Sequence, residues 1–282
     1  MNTNQYHIWV VSPPNYNHTH AFDEIVLSLE SGFKSLGFNC PIHRGTQPLH
    51  TTPIIIGGNL LHAVPPVKLQ SNFIVYNLEQ IFYGSGWLHS HYLNALKTCK
   101  VWDYSLQNIN NLSKMGIHNV TYVPIGWAPE LEKIPIIDKK EYDVLFIGSL
   151  TERRNKILDN ISKLGLHVER KFNLYESERD KELAKAKIIL NIHAYEAKVF
   201  EIVRVSYMLA NKLFVISEVG NDLKLENNFS DALIFGKVDE IPSLCYKYSK
   251  DEEKRLKIAT LGQGIFKSMP IVPILKSALN LK

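Results

Sequence analysis

Cysteine is scarce in this chain of 282 residues: Cys40, Cys99 and Cys245 are far apart and form no Cys-x-x-Cys pair. That excludes a disulfide framework and the usual structural zinc sites, and it points to reduced thiols in a cytoplasm. Long apolar runs are missing as well. No window approaches the roughly 18 unbroken apolar residues of a membrane span. The apolar stretch Ile8–Val11 has strand length and lacks the basic flank and long apolar region of a signal peptide. The expectation is therefore a cytoplasmic protein, at most peripheral to a membrane, with no transmembrane segment. Nor is there a strong excess of one charge: 32 Lys plus Arg against 28 Asp plus Glu leave +4. A mild basic balance suits a phosphorylated small molecule or an anionic surface, but it lacks the lysine runs of a dedicated nucleic-acid binder. With 45% hydrophobic and 21% charged residues the chain can bury a real core, which excludes disorder.

Several chemical signatures are also absent. There is no Gly-x-x-x-x-Gly-Lys-Ser/Thr loop, which argues against an ATPase or kinase of that type. No Gly-x-Gly-x-x-Gly follows the first strand of either half, against a nicotinamide dehydrogenase, and no Gly-x-Ser-x-Gly, against a serine hydrolase. No Asp-x-Asp pair is present to hold a divalent cation under a diphosphate, and no metal site is assigned. The closely spaced histidines His18/His20 and His89/His91 read as exposed loop residues.

What is present is an alternation of short apolar runs with helical stripes, twice over. In the first half Tyr6–Ser12 reads as a buried strand stopped by Pro13 and Pro14. Phe22, Ile25, Val26, Leu29, Phe33 and Leu36 then give a 3.6-residue stripe over His20–Leu36, ended by Gly37. Further strands are expected at Asn39–His43, Pro53–Ile56, Phe73–Asn77, Val101–Tyr104 and Thr121–Pro124, with helices at His89–Cys99 and Leu106–Lys114. Ile125–Lys140, with two prolines, Gly126 and a charged end, reads as a linker. The second series has strands at Asp143–Ile147, Val168–Phe172, Ile188–Ile192, Leu213–Ser217 and Ala232–Phe235. Its helices are expected at Glu152–Leu164, Glu178–Ala186 and Ala197–Ala210. Such alternation implies two parallel sheets covered by helices, an α/β chain of two Rossmann-like domains facing a cleft. The division is expected at residues 1–135 and 136–269, with a last helix in 270–282 returning to the first domain. Ligands of such sheets sit at the carboxyl ends of strands, so the residues just past each strand matter most.

Two such places carry chemistry. Strand Asp143–Ile147 runs into Gly148, Ser149, Leu150 and Thr151, then a helix that opens with Glu152, Arg153, Arg154, Asn155 and Lys156. Glycine lets a ligand approach the backbone, Thr151 is a good N-cap, and the N–H groups of a helix start attract a diphosphate. Cations at a helix N-terminus oppose the helix dipole, a conflict that a bound anion removes. The second place is the stretch from Asn191 to Glu201, leaving one strand and entering a helix, with His193, Tyr195 and Glu201 in it. A carboxylate at Glu201 can accept from two ribose hydroxyls; the alternative is a Glu201–Arg204 surface pair worth a few tenths of a kcal/mol.

With these motifs the chain resembles the GT-B glycosyltransferases, in particular the retaining, group 1 branch. Gly148–Arg154 looks like the family's diphosphate loop, and His193-x7-Glu201 looks like its Glu-x7-Glu motif, whose first glutamate meets the donor sugar and whose second meets the ribose. Helix His20–Gly37, Asp103–Ser105 and Val123–Gly126 resemble parts of the acceptor domain. The resemblance implies transfer of a sugar from a nucleotide-diphosphate sugar, without metal or other cofactor, onto an acceptor that could be a glycan, a lipid-linked sugar, a protein or a modified nucleic acid. Donor-binding residues would be Gly148, Ser149, Arg153, Arg154, His193, Tyr195, Glu201 and Arg204. The chain departs from the pattern at Ser149, where an arginine is usual, so the cation falls to Arg153 or Arg154. It departs again at His193, where a glutamate is usual, and in the longer helix after Glu201, which no glycine ends. An inverting route needs a base in the acceptor half, for which Glu79 is placed past a strand and His20, Asp23 and Glu24 are rivals. Tyr83, Trp87 and Tyr92 could stack on a sugar or pack in the core. Two other classes share the architecture: a nucleotide-sugar epimerase, and a non-catalytic two-lobed binding protein.

Overall fold

The computed structural model describes residues 5–195 and 197–281. Two compact units divide the chain, one running to Glu130 and resuming at Met269, the other spanning Leu131–Ser268.

In the N-terminal unit six strands form one parallel sheet: β1 (Tyr6–Val11), β2 (Ile42–Gly45), β3 (Thr52–Ile56), β4 (Ile74–Asn77), β5 (Lys100–Asp103) and β6 (Val120–Tyr122), in the order β2-β1-β3-β4-β5-β6. The inner strands are apolar nearly throughout, as strands covered on both faces must be. Ile8 pairs with Ile54 and Ile55 with Val75, all of them buried. Edge strand β2 alternates between exposed and half-buried residues, and it lies at Ile42–Gly45 instead of the expected Asn39–His43. Helices α1 (Asp23–Ser35), α2 (Ser90–Thr98) and α3 (Leu106–Lys114) connect the strands. The helix expected from His20 opens as a 3-10 turn over Asn17–Phe22 before α1 begins.

The C-terminal unit has a parallel sheet of five strands: β7 (Tyr142–Ile147), β8 (Val168–Lys171), β9 (Ala186–Asn191), β10 (Val215–Glu218) and β11 (Ile234–Gly236), in the order β11-β10-β9-β7-β8. Around it lie α4 (Glu152–Ser162), α5 (Glu176–Lys185), α6 (Ile202–Ala210), α7 (Leu223–Asn227), α8 (Ile241–Ser249) and α9 (Glu252–Lys267). Val144, Phe146, Ile188, Leu190 and Ile216 of the sheet pack with Ile157, Leu158 and Ile161 of α4 and with Ile241 and Cys245 of α8. The helix expected over Ala197–Ala210 begins only at Ile202, because Lys198 adopts a left-handed backbone with φ +46° that no α-helix accommodates. Strands β7, β9 and β10 therefore end side by side, each followed by irregular backbone.

Chain from Met269 onward belongs to the N-terminal unit, where α10 (Ile271–Ala278) packs on α1. A Cβ on Gly32 would lie 2.6 Å from Leu275, and one on Gly126 would lie 2.7 Å from the Ile271 Cα, so only glycine permits this approach. Backbone bonds from Trp127 N–H to Met269 O (2.8 Å) and from Ile271 N–H to Trp127 O (2.9 Å) complete the contact. Pro273 sits in the first turn of α10, where a missing N–H costs nothing. All three cysteines are buried and unpaired, and burial pushes the thiols of Cys40 and Cys245 up to about 12, so they stay protonated. Among the described residues no helix is long and apolar enough to cross a membrane.

His7 on β1 makes the N-terminal unit sensitive to acid. It is fully buried; its Nδ1–H donates to Thr51 Oγ1 at 2.8 Å while Nε2 accepts the Leu49 N–H at 3.1 Å. Burial, helped by His43, lowers its pKa from 6.5 to about 4. The unfolded chain thus binds a proton near pH 6.5 that the folded chain refuses until about pH 4. The His7 contribution is complete above pH 6.5 and is lost as pH falls through that window, by about 3 kcal/mol at most. Urea titrations at pH 7 and pH 4.5 should show a drop in stability that shrinks in His7→Gln. Equal drops in both proteins would show that His7 is not responsible.

Candidate functional site

The chain leaves β7 through a glycine. Gly148 has φ +157°, and a Cβ there would come within 3.2 Å of the Phe146 ring. Thr151 caps α4, its Oγ1 accepting the Arg154 N–H at 3.2 Å. By helix geometry the N–H groups of Glu152 and Arg153 have no partner inside the helix and point out of its start. Ser149 is exposed, leaving room beside them.

Arg153 and Arg154 are neighbours with opposite environments. Arg154 is buried, with Nη1 donating to Ser149 O (3.0 Å) and Ser149 Oγ (3.1 Å), Nη2 donating to Ile192 O (2.5 Å), and the guanidinium 5.2 Å from the centre of the Phe146 ring. It ties the loop after β7 to the end of β9 and has little left to offer a ligand. Arg153 is the outward one: its side chain is 41% exposed, with Nη1 on His193 O at 3.0 Å and Nη2 on the Glu218 carboxylate. Of the two arginines, Arg153 is the one whose side chain reaches solvent.

Residues after β9 form a compact polar group. Glu201 stands immediately before α6, half-buried, with Oε1 3.7 Å from His193 Nδ1 and Oε2 3.7 Å from Arg204 Nη1. Burial pushes its carboxyl up, but the His193 ring and the charges of Arg204 and Arg154 outweigh that and hold it below the ordinary carboxylate range. It is an ionised acceptor. Arg204 also donates to Ile147 O and lies over Phe146, so the Glu201–Arg204 pair is tied to the end of β7 and is not a loose surface pair. The His193 side chain has no solvent exposure, and neither ring nitrogen has a hydrogen-bond partner among the described residues. The ring is thus enclosed beside Glu201, with both nitrogens unbonded among those residues. Tyr195 is 38% exposed on the same loop, and Glu196 lies outside the described residues.

Two site residues escaped the sequence reading. Glu218 ends β10 with no solvent exposure and holds both Arg153 and Lys198. The signal was a carboxylate directly after an apolar strand, at the end where these sheets bind ligands.

In the N-terminal unit three of the four candidate bases, His20, Asp23 and Glu79, have distinct surroundings. His20 Nδ1 bonds Asp23 Oδ2 at 2.8 Å, and Asp23 Oδ1 accepts from Arg44 Nη2 at 2.5 Å. A carboxylate on Nδ1 requires the proton there and places the lone pair of the neutral ring on Nε2. Asp23 is thus engaged twice, by His20 and by Arg44. Glu79 is half-buried, its backbone held by Asn77 and Asn108: Asn77 Oδ1 accepts the Glu79 N–H at 3.1 Å, and both amides donate to Glu79 O at 3.0 and 2.9 Å. Tyr92 is core, 1% exposed with its hydroxyl on Asn77 Oδ1 at 2.6 Å, and so does not stack on a ligand; Tyr83 is 95% exposed. His89 caps α2 through Nδ1 and bonds Asn59 O through Nε2 at 2.6 Å, which corrects its reading as a free loop histidine.

No protein-family model matches the chain. Among curated proteins it is 30% identical over 128 residues to Uncharacterized protein L137 of Acanthamoeba polyphaga mimivirus, covering 42% of this chain and 17% of that protein. It is 31% identical over 107 residues to L140 of the same virus, covering 36% of this chain and 34% of L140. The chain thus spans about a third or less of the length of these relatives. Solved structures match nearly end to end. Anabaena Alr3699/HepE in complex with UDP-glucose aligns with a TM-score of 0.63 at 12% identity, covering 98% of each chain. WaaG, a glycosyltransferase involved in lipopolysaccharide biosynthesis, aligns at 0.59 with 10% identity over 97% of this chain and 98% of its own. AviGT4, a glycosyltransferase involved in avilamycin A biosynthesis, aligns at 0.53 with 11% identity over 98% and 96%. With its parallel sheets of six and five strands and flanking helices, this chain has the GT-B fold of the glycosyltransferases.

Proposed function

We propose that this chain is a glycosyltransferase that takes a sugar from a UDP-sugar without a metal ion and passes it to a hydroxyl acceptor. The observation that carries the reading is the capped start of α4 beyond Gly148, with outward Arg153 beside it, in a fold shared over 98% of its length with a protein solved with UDP-glucose. Phosphate oxygens would accept from the N–H groups of Glu152 and Arg153 and from the Arg153 guanidinium. These donors stabilise the diphosphate as negative charge builds on it. Gly148 and Ser149 leave room for the backbone approach. Glu201 accepts from the ribose hydroxyls, Arg204 holds it in place, and Tyr195 lies along the same loop. In the N-terminal unit His20, oriented by Asp23, takes the proton of the acceptor hydroxyl as its oxygen attacks the anomeric carbon. The bond from that carbon to the diphosphate breaks, and UDP leaves with the electron pair. Glu79 is the second choice for the base, favoured only by its place past β4.

Isothermal titration with UDP separates the donor residues. Arg153→Ala should weaken UDP by roughly ten- to a hundredfold, the loss of a charge-assisted hydrogen bond, in a chain that still folds, since Lys198 remains on the Glu218 carboxylate. Arg154→Ala should instead destabilise the fold by about 1–3 kcal/mol, because the carbonyls of Ser149 and Ile192 lose their donor. Glu201→Gln should weaken UDP by a similar factor to Arg153→Ala while leaving 2′,3′-dideoxy-UDP binding as it is in the wild type. Normal UDP binding by both Arg153→Ala and Glu201→Gln would end the donor-site reading.

For the base, the measurement is turnover with a UDP-sugar and an acceptor found by screening. His20→Gln should lower kcat by roughly a hundred- to ten-thousandfold and leave UDP affinity alone. If Glu79→Gln has that effect and His20→Gln does not, the base is Glu79.

A further inference from the structure

Two cations converge on one buried oxygen at the end of β10. Oε1 of Glu218 accepts from Arg153 Nη2 and, at 2.9 Å, from Lys198 Nζ, while Oε2 accepts the His193 N–H at 3.1 Å. The carboxylate is wholly buried, whereas the Arg153 and Lys198 side chains are 41% and 33% exposed. Each cation therefore has one side on Glu218 and another open to solvent. Burial pushes the Glu218 carboxyl up, but the hydrogen bonds from Arg153 and Lys198 and the charge of Arg153 more than reverse it, so Glu218 is an anion.

Lys198 is also held by its backbone. Its φ of +46° is a conformation that L-residues rarely adopt. Its carbonyl accepts the Asn221 N–H at 2.8 Å and would lie 2.1 Å from a Cβ on Gly220. A lysine serving only solubility has no need of a strained backbone locked from the neighbouring loop. Strain of this kind concentrates where a side chain must be presented in one place.

We infer that Lys198 and Arg153 form a two-cation clamp for the diphosphate, and that Glu218 is the positioning residue that aims both. This rests on the donor reading above. Long lysine and arginine side chains lose much rotamer freedom on being fixed. Glu218 fixes them before the ligand arrives and offsets the repulsion between two cations sharing one place. A diphosphate brings more than one negative charge, so the attraction survives the single charge of Glu218.

The experiment is calorimetric titration of the full chain with inorganic pyrophosphate, UDP and uridine. Lys198→Ala should weaken pyrophosphate and UDP about tenfold and leave uridine unchanged. Glu218→Gln should weaken UDP several-fold with uridine again unchanged, and the double variant should bind UDP no worse than the weaker single variant, because the two residues act as one unit. Wild-type UDP affinity in Lys198→Ala overturns the clamp and leaves the donor reading standing. Pyrophosphate binding that depends on Lys198, with no nucleoside diphosphate bound by the wild type, keeps the clamp and ends the donor reading. Tighter UDP binding by Glu218→Gln would show that the carboxylate competes for the cations and does not aim them, and overturns its role. If Glu218→Gln does not fold, Lys198→Ala carries the test, since its side chain reaches solvent. A wild type that binds neither pyrophosphate nor UDP overturns the whole inference.

Discussion

A guanidinium buried beside carbonyl oxygens is the contact on which the C-terminal unit's site depends. Three parallel strands, β7, β9 and β10, end next to one another, and the chain leaving each one turns away with polar groups exposed to the interior. Such groups cost free energy unless they are bonded. Arg154 meets this need by donating to Ser149 and Ile192, which joins the end of β7 to the end of β9. Its charge is stabilised by the face of Phe146 and by the nearby carboxylates of Glu201 and Glu218. Arg153 adds a second tie, from the start of α4 to His193 O and to the Glu218 carboxylate. Removing Arg154 would loosen the loop on which Gly148 and Thr151 depend.

Much of the fold could be read from the sequence because its strands are covered on both faces. Continuous apolar runs such as Ile8–Val11 and Ile54–Ile56 are hard to mistake, and the alternation with helical stripes gives parallel sheets directly. Reading failed where burial does not set the pattern. Strand β2 is an edge with Ile42 36% exposed, so apolar content does not locate it. Helix α6 was drawn too early because Val199, Phe200, Ile202 and Val205 are all buried and look like one stripe. The left-handed turn at Lys198 that breaks it leaves no mark in hydrophobicity.

The candidate site was legible in its residue types but not in their directions. Successive residues of a helix point about 100° apart, so a pair such as Arg153 and Arg154 must split between interior and surface, and only packing decides which goes where. Glu218 was hidden for a different reason. A glutamate that ends a strand looks like the first solvated residue of a loop, yet here it is the anion on which the start of α4 and the chain after β9 both converge. His193 shows the converse. Its motif position marks it for a ligand, while its ring is packed between Glu201 and the Gly220 turn, where a Cβ would come within 2.9 Å of Nε2.

The local balance of charge then explains why this unit would take an anion although the whole chain is only mildly basic. Arg153, Arg154, Lys198 and Arg204 face three carboxylates, those of Glu201, Glu218 and Glu226. Glu226 is the weakest of the three: burial and Asp222 push its carboxyl up, against the Gly220 N–H that donates to it at 2.6 Å. With Asp222 beside Glu226 the four cations meet four carboxylates, and the cluster turns positive as Glu226 moves toward neutrality. Such an excess is costly where water is largely excluded, because like charges are poorly screened there. An anion with more than one charge relieves it, and the solvent-facing sides of Arg153 and Lys198 are where it would be felt first. Binding and folding are then linked: a ligand held by the folded form alone raises its stability in proportion to the logarithm of its concentration above Kd. On the proposed function, the same repulsion would be a source of affinity for the diphosphate.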